Sequence, residues 1–432
     1  MPIKRIRTHL QTDFFKSLTI LLSGTIIAQL IGYLMAPIIT RIYTPAEMGE
    51  FGVYHRWIVL VATISTARFE FALPIPKKDH HAFLLYEVAL KTTTYALVVT
   101  FFCYLLYGFW TSNSEFIFII TPLLILSVLF LAFMNLGTNW AIRNKQFKKI
   151  SYSKMSNSLT LHFSRILFGF LNLGKWGLLI SFLFSLIIGS VHFFKDFLVQ
   201  KKSSLKTKTK RRMQIIIRKY KDFPLSSLPH ALTDSLRDVF VALLLVYLFT
   251  DEVFGAFDHS MRMLRIPLMI VGTSLGQVFF SKISEAKKSD LELMPLVKSV
   301  IKYLFFLSIF PFLLVFFYGE ELFSFVFGEQ WAFSGRLSEI MTPWLWANFI
   351  ISPISVIPLV LGKQRSFFII GLISSVLQIA SFYFLPIVFD GSSNKIELTF
   401  IISSWIQFGI TFYSLFYIYS LIKKNDRQRV RE

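Results

Sequence analysis

Cysteine is almost missing from this chain: Cys103 is the only one in 432 residues. That excludes an intrachain disulfide and a thiolate metal cluster, and it is silent on redox compartment. Charge is scarce too, at 16% of residues, where an ordinary soluble domain carries about 25%. Acids are the scarcer sign, 25 against 45 Lys and Arg, so the formal net charge is +20. No G-x-x-x-x-G-K-[ST] phosphate loop, H-E-x-x-H pair or G-x-S-x-G elbow occurs. No large extracytoplasmic loop offers an enzyme a platform. The expectation is therefore no catalytic residue, no metal and no cofactor. Work would be driven by an ion gradient, the membrane potential or the substrate's own gradient.

What is present is apolar. Hydrophobic residues make up 54% of the chain and include 49 Phe. A soluble fold of this size could not hide so much apolar surface, whereas lipid accepts it. Twelve runs are long enough to span a bilayer: 17–40, 52–74, 82–108, 116–140, 150–173, 176–194, 225–249, 253–280, 300–318, 340–361, 367–389 and 398–421. The first follows a basic tail, as a signal peptide would. Its length is that of a full span, so it reads as an uncleaved helix.

The positive charge lies between the runs, which excludes a folded nucleic-acid-binding surface. The tail (Lys4, Arg5, Arg7 and Lys16 against Asp13) and the even connectors are net basic. The fourth holds Arg143, Lys145, Lys148 and Lys149 unopposed. The odd connectors are acidic, through Glu47 and Glu50, Glu115, Asp251 and Glu252, Glu320, Glu321 and Glu329, and Asp390 and Glu397. Only the fifth, with Lys175, breaks the alternation. One miscounted helix would invert every later connector, so both termini are expected in the cytoplasm.

The most basic connector divides the chain into an N-terminal six-helix lobe (1–199), a cytoplasmic linker (200–222) and a C-terminal six-helix lobe (223–432). The halves echo each other: Thr44, Gly49, Phe51 and Arg56 have the spacing of Thr250, Gly255, Phe257 and Arg262. An even number of helices per half keeps both copies in one orientation. The expected fold is thus all-α, about twelve transmembrane helices in two lobes related by a parallel repeat.

A charge at mid-membrane costs roughly 2.5–3.5 kcal/mol and generally faces a partner or a watery cavity. Asp258, Arg262 and Arg265 share one stripe of the eighth run; Lys154, Ser158, His162 and Arg165 share one of the fifth; His230, Asp234, Arg237 and Asp238 one of the seventh. Arg56 enters the second run, Arg68 and Glu70 close it, and Glu87 and Lys91 form an i, i+4 pair on the third. For Arg68, Glu70, Asp234 and Lys154, snorkelling to headgroups competes with a buried role. His55, His162 and His230 are open to a proton-relay reading. A cavity rich in Arg and poor in acids suits an anion, since guanidinium grips phosphate oxygens through paired hydrogen bonds. Arg56, Arg165, Arg262 and Arg265 are the candidate substrate contacts. Glu70, Asp234 and Asp258 are candidates for ion coupling or for positioning those arginines. Pro343, Pro353 and Pro358 mark the tenth run as kinked or broken, a hinge or plain packing.

The stretch SGTIIAQLIGYLMAPIITRIYTPAEMGEFGVY resembles the start of bacterial polysaccharide repeat-unit flippases, members of the multidrug/oligosaccharidyl-lipid/polysaccharide exporter superfamily. Arg41, Thr44, Pro45, Gly49 and Phe51 match their R-x-x-[TS]-P-x-x-x-G-x-[FY]. Arg68, Phe69, Glu70, Pro76, Lys77, Asp79 and Ala82 match R-[YF]-E followed by L-P-K-x-D-x-x-A, with one extra Ile75-Pro76 step. The likeness is sharp over about the first ninety residues and rests later on helix count, the basic loop and the eighth run.

It implies two six-helix lobes, a cationic cavity opening to alternate sides, and a lipid-linked oligosaccharide on undecaprenyl diphosphate as cargo. It also implies the bacterial cytoplasmic (inner) membrane, O-antigen, capsule or related glycan synthesis, and a polymerase and chain-length regulator as partners. A drug or cation exporter of the same fold would show acids in its lumen. A major-facilitator transporter would carry a G-x-x-x-D-R-x-G-R-R-like loop, unlike IPKKDHHA, and a polyprenol-dependent polymerase or ligase a large outer loop.

Overall fold

The computed structural model describes residues 23–112, 114–204, 210–288 and 291–429, with backbone alone over 200–204, 210, 266–278, 280, 281, 284, 287, 288, 428 and 429. The basic N-terminal tail and Lys206 and Lys208 of the linker lie outside the described residues. Among these the chain is helical throughout, with no strand. The helices are α1 (Ser23–Ile42), α2 (Pro45–Ser65), α3 (Asp79–Trp110), α4 (Thr121–Arg143), α5 (Phe147–Phe170), α6 (Gly174–Ser204) and α7 (Lys210–Lys219), then α8 (Leu228–Leu248), α9 (Asp251–Lys288), α10 (Met294–Phe327), α11 (Ala332–Ile351), α12 (Ile357–Val360), α13 (Gln364–Val388) and α14 (Lys395–Arg429).

Among the described residues eight segments are long and apolar enough to cross a membrane: α1, α3, α4 with the π turn before it, α6, α10, the run from Glu329 to Val360, α13 and α14. Their outer faces show Phe102, Leu106, Phe109, Phe310 and Phe317 to the surroundings, as lipid as solvent demands. Helices α2, α5 and α8 are also long but fall short on apolarity. They are the helices interrupted by Arg56, by Lys154, His162 and Arg165, and by Asp234, Arg237 and Asp238.

The fold comprises two compact units. One takes Met1–Tyr43 and Val53–Val239, the other Thr44–Gly52 and Phe240–Glu432. Within the first, α4, α5 and α6 pack together and α3 lies on α4. Helix α7 and the residue that follows it bury Met213, Ile216 and Tyr220 in a cluster with Phe83, Tyr86 and Trp140, while Arg211, Arg212, Arg218 and Lys219 of α7 stay exposed. In the second unit α10, α11, α13 and α14 form the packed body, and α9 lies on α11.

Ion pairs sort the connectors by end. Asp79, the first residue of α3, accepts from Arg143 at 2.7 Å, and Lys149 reaches Asp196 at 2.6 Å. Glu115 pairs with Lys175 at 3.1 Å. In the second unit Arg336 donates to Glu397 at 3.3 Å, and Asp426 accepts from the backbone of Leu293 and Met294. Even connectors thus meet even ones, and odd meet odd. Lys175, the exception to charge alternation, sits against an acid of its own end.

Two expected runs differ. The second was expected over 52–74, but α2 stops at Ser65, because Ala67 and Arg68 take left-handed φ of 49° and 60° and turn the chain into a short 3-10 helix, Phe69–Ala72. The tenth was expected over 340–361; α11 ends at Ile351 and a 3-10 turn, Ser352–Val356, separates it from α12. Pro353 and Pro358 lack the N–H that a continuous helix would use.

The repeated T-x4-G-x-F-x4-R sequence has a structural reason. Each threonine opens a helix. Thr44 and Glu47 form a capping box, the Thr44 N–H donating to Glu47 Oε2 at 2.8 Å and the Glu47 N–H to Thr44 Oγ1 at 3.3 Å. Thr250 Oγ1 accepts from the Val253 N–H at 3.2 Å. The two openings cross at their glycines, both within the second unit. A Cβ on Gly49 would overlap the Asp251 carbonyl, and one on Gly255 would overlap the Pro45 carbonyl. Only glycine lets these backbones approach so closely. Phe257 then anchors its copy between Phe382 and Phe400.

Candidate functional site

The charged candidates fall in three places. In the first unit, α5 lays its polar stripe along α1. Lys154 Nζ donates to Thr25 Oγ1 at 3.0 Å, Ser158 Oγ to the Ala28 carbonyl at 2.6 Å, and the Tyr43 hydroxyl to the Arg165 carbonyl at 2.8 Å. Gly32 faces the His162 ring, and Gly24 faces Ser151. The stripe is therefore covered by a helix whose own small residues, Gly24, Ala28 and Gly32, recur every four positions. That spacing was a readable signal, overlooked among apolar neighbours. Arg165 is 4% exposed, and Arg56 on α2 is half-buried.

The second place is the end of α2. Glu70 is 3% exposed on its 3-10 turn. Arg68 Nη1 stands 3.8 Å from Glu70 Oε1, and its guanidinium lies 4.3 Å over the Phe71 ring. Glu70 Oε2 and Arg68 Nε have no hydrogen-bond partner. Burial pushes the Glu70 carboxyl up, against the pull of Arg68. Two consecutive left-handed non-glycine residues cost about 1–3 kcal/mol each and persist only where packing over-determines them. The 3-10 turn rests on a π-helical turn, Phe223–Ser227, that leads into α8. Asp234 lies nearly two turns into α8 and meets Arg237 at 3.4 Å. Between the two turns is a groove of about 520 Å³ lined by Arg68, Asp222, Phe223, Ser226, Ser227, His230, Ala231 and Asp234. Asp222 was missed in the sequence because it closes the linker, and Ser226 and Ser227 because they pass as the polar start of the seventh run.

The third place is α9 in the second unit. Asp258, Arg262 and Arg265 follow one another along a stripe, with Asp258 9% exposed and ion-paired to the Arg262 guanidinium. Arg262 and Arg265 are exposed. The opposite face explains their direction. His259 is buried among Phe323, Phe327 and Trp331, with ring centroids 4.4–5.8 Å away, and Ser260 bonds Ser334 at 2.9 Å. Packing holds that face inward, so the arginines must point out, and Asp258 sets the guanidinium of Arg262. An outward-facing pair of arginines on a rigid helix can grip a polyanion through two to four charge-assisted hydrogen bonds. Among the described residues no cluster of His, Cys, Asp or Glu could hold a metal ion.

These features define a multi-pass helical membrane protein whose polar and charged helices are set apart from its lipid-facing ones. The pattern of the polysaccharide biosynthesis protein family matches residues 38–334, and the chain belongs to that family. No curated protein matches it in sequence. Among solved structures it resembles an inward-facing multidrug resistance MATE family transporter of the MOP superfamily, with a TM-score of 0.65 and 13% identity over 94% of this chain and 98% of that one. It also resembles the lipid II flippase MurJ in its inward closed conformation, with a TM-score of 0.57 and 16% identity over 97% and 90%. A third neighbour is the Vibrio cholerae MATE transporter VcmN in the bent form, with a TM-score of 0.54 and 16% identity over 97% and 98%. The chain shares the fold of these three proteins.

Proposed function

We propose that this chain is a flippase that carries undecaprenyl-diphosphate-linked oligosaccharide repeat units across the bacterial cytoplasmic membrane by alternating access. Its glycan would feed O-antigen, capsule or a related surface polysaccharide, with a polymerase and chain-length regulator downstream. In this reading α2, α5, α8 and α9 span the bilayer beside the eight apolar segments, which makes twelve, and both termini are cytoplasmic. The observation that carries the proposal is the outward Arg262, set by Asp258, with Arg265 exposed one turn further along α9. They offer fixed positive charge, which suits a diphosphate and repels an organic cation. Membership of the polysaccharide biosynthesis family supports a glycan cargo.

Binding to the purified full-length protein tests the cargo class. Undecaprenyl diphosphate should bind at least about tenfold more tightly than undecaprenol, the worth of a single charge-assisted contact. Saturable binding of tetraphenylphosphonium with no preference for the diphosphate would instead favour a cation exporter.

A further inference from the structure

The groove beside Arg68 is unlike the arginine sites. It carries one guanidinium against Asp222 and Asp234, so its charge balance disfavours a diphosphate. Two serine hydroxyls, two carboxylates, an imidazole and a guanidinium converge on it, with the Phe223 ring as the apolar wall. Carboxylate and guanidinium each bind vicinal hydroxyls through paired hydrogen bonds, and a ring face covers the C–H face of a pyranose. About 520 Å³ is within the range of small-ligand sites. Asp222, Ser226, His230 and Asp234 recur every four residues across the π turn and into α8, so one face of one element presents them all. The other wall is the strained Ala67-Arg68 turn, its guanidinium steadied by Glu70 and Phe71. Irregular backbone on both walls is a mark of a site held ready for a ligand.

We propose that this groove is a sugar-binding site that holds the reducing-end saccharide of the lipid-linked cargo, a neutral or amino sugar rather than an acidic one. The specificity follows from charge: Asp222 and Asp234 repel a uronic acid and accept hydrogen bonds from hydroxyl or ammonium groups. This rests on the flippase reading for the identity of the cargo, but the chemistry of the groove does not. In the proposed orientation the groove lies at the cytoplasmic end of α2 and α8, where a newly assembled glycan is first met.

The test uses full-length protein in nanodiscs and three probes: methyl N-acetylglucosaminide, undecaprenyl diphosphate, and undecaprenyl diphosphate bearing N-acetylglucosamine. The sugar-bearing lipid should bind about tenfold more tightly than the bare one, the worth of one or two net hydrogen bonds. Asp222→Asn with Ser227→Ala should abolish that increment and weaken the free glycoside alike, while leaving bare undecaprenyl diphosphate and the melting temperature unchanged. Asp222→Glu should recover part of the increment. An increment that survives the double variant, or is absent from the wild type together with glycoside binding, overturns the groove. Glycoside binding that is lost in the double variant, in a protein that ignores undecaprenyl diphosphate, supports the groove and refutes the flippase reading alone.

Discussion

Arg262→Glu should reduce translocation of a lipid-linked oligosaccharide about 100-fold, with the protein still abundant in the membrane. The residue stands exposed on α9, held by Asp258. Reversal removes a contact to the diphosphate, worth roughly 2–5 kcal/mol when desolvated, and adds repulsion. It also sets Glu beside Asp258 at i, i+4, which costs only a few tenths of a kcal/mol on a helix. The exchange variant Asp258→Arg with Arg262→Glu separates the two effects. It restores the ion pair but moves the cation by one turn, so translocation should remain lost. Recovery in the exchange variant would make Arg262 a structural residue and remove it from the site. Arg265→Gln should give a smaller loss, because Arg262 remains.

Gly255→Val carries the other large effect, and it acts through packing. The new side chain would collide with the Pro45 carbonyl, and no rotamer relieves a clash that begins at Cβ. Overpacking of this kind costs about 1–3 kcal/mol, and here backbone rather than a side chain must move. The melting temperature should fall by several degrees and transport should fail. Gly49→Val should behave alike, since its Cβ would meet the Asp251 carbonyl. Gly371→Ala and Gly409→Ala serve as controls, having nothing within 4 Å, and should change stability by less than about 0.5 kcal/mol. Normal melting and transport in Gly255→Val would show that the crossing is looser than described.

Much of the fold was legible because lipid imposes length and apolarity on each span, and the ion pairs between connectors of like parity agree with the alternation read from charge. The end of α2 was not legible. Phe69, Ala72 and Leu73 are as apolar as a span, but they fill a cluster with Phe83 and Tyr86, and the left-handed turn at Ala67 and Arg68 uses neither Gly nor Pro. The α5 stripe was visible as a stripe, yet composition could not show that α1 covers it. What hid the partner was small size, at Gly24, Ala28 and Gly32, in a run that otherwise reads as apolar. The repeat around Gly49 and Gly255 was read as a sign of duplicated halves. Its physical content, two capped helix openings crossing at a glycine pair, needed coordinates.

The central claim is movement of an intact lipid-linked glycan between leaflets. Purified protein in proteoliposomes, given a fluorescent undecaprenyl-diphosphate oligosaccharide in one leaflet, tests it when a membrane-impermeant quencher reports the other. Protein-dependent transfer, with the glycan chemically unchanged and the Arg262→Glu protein inactive, is the predicted result. No transfer under any imposed gradient, or a glycan recovered lengthened or moved to another acceptor, would contradict the account.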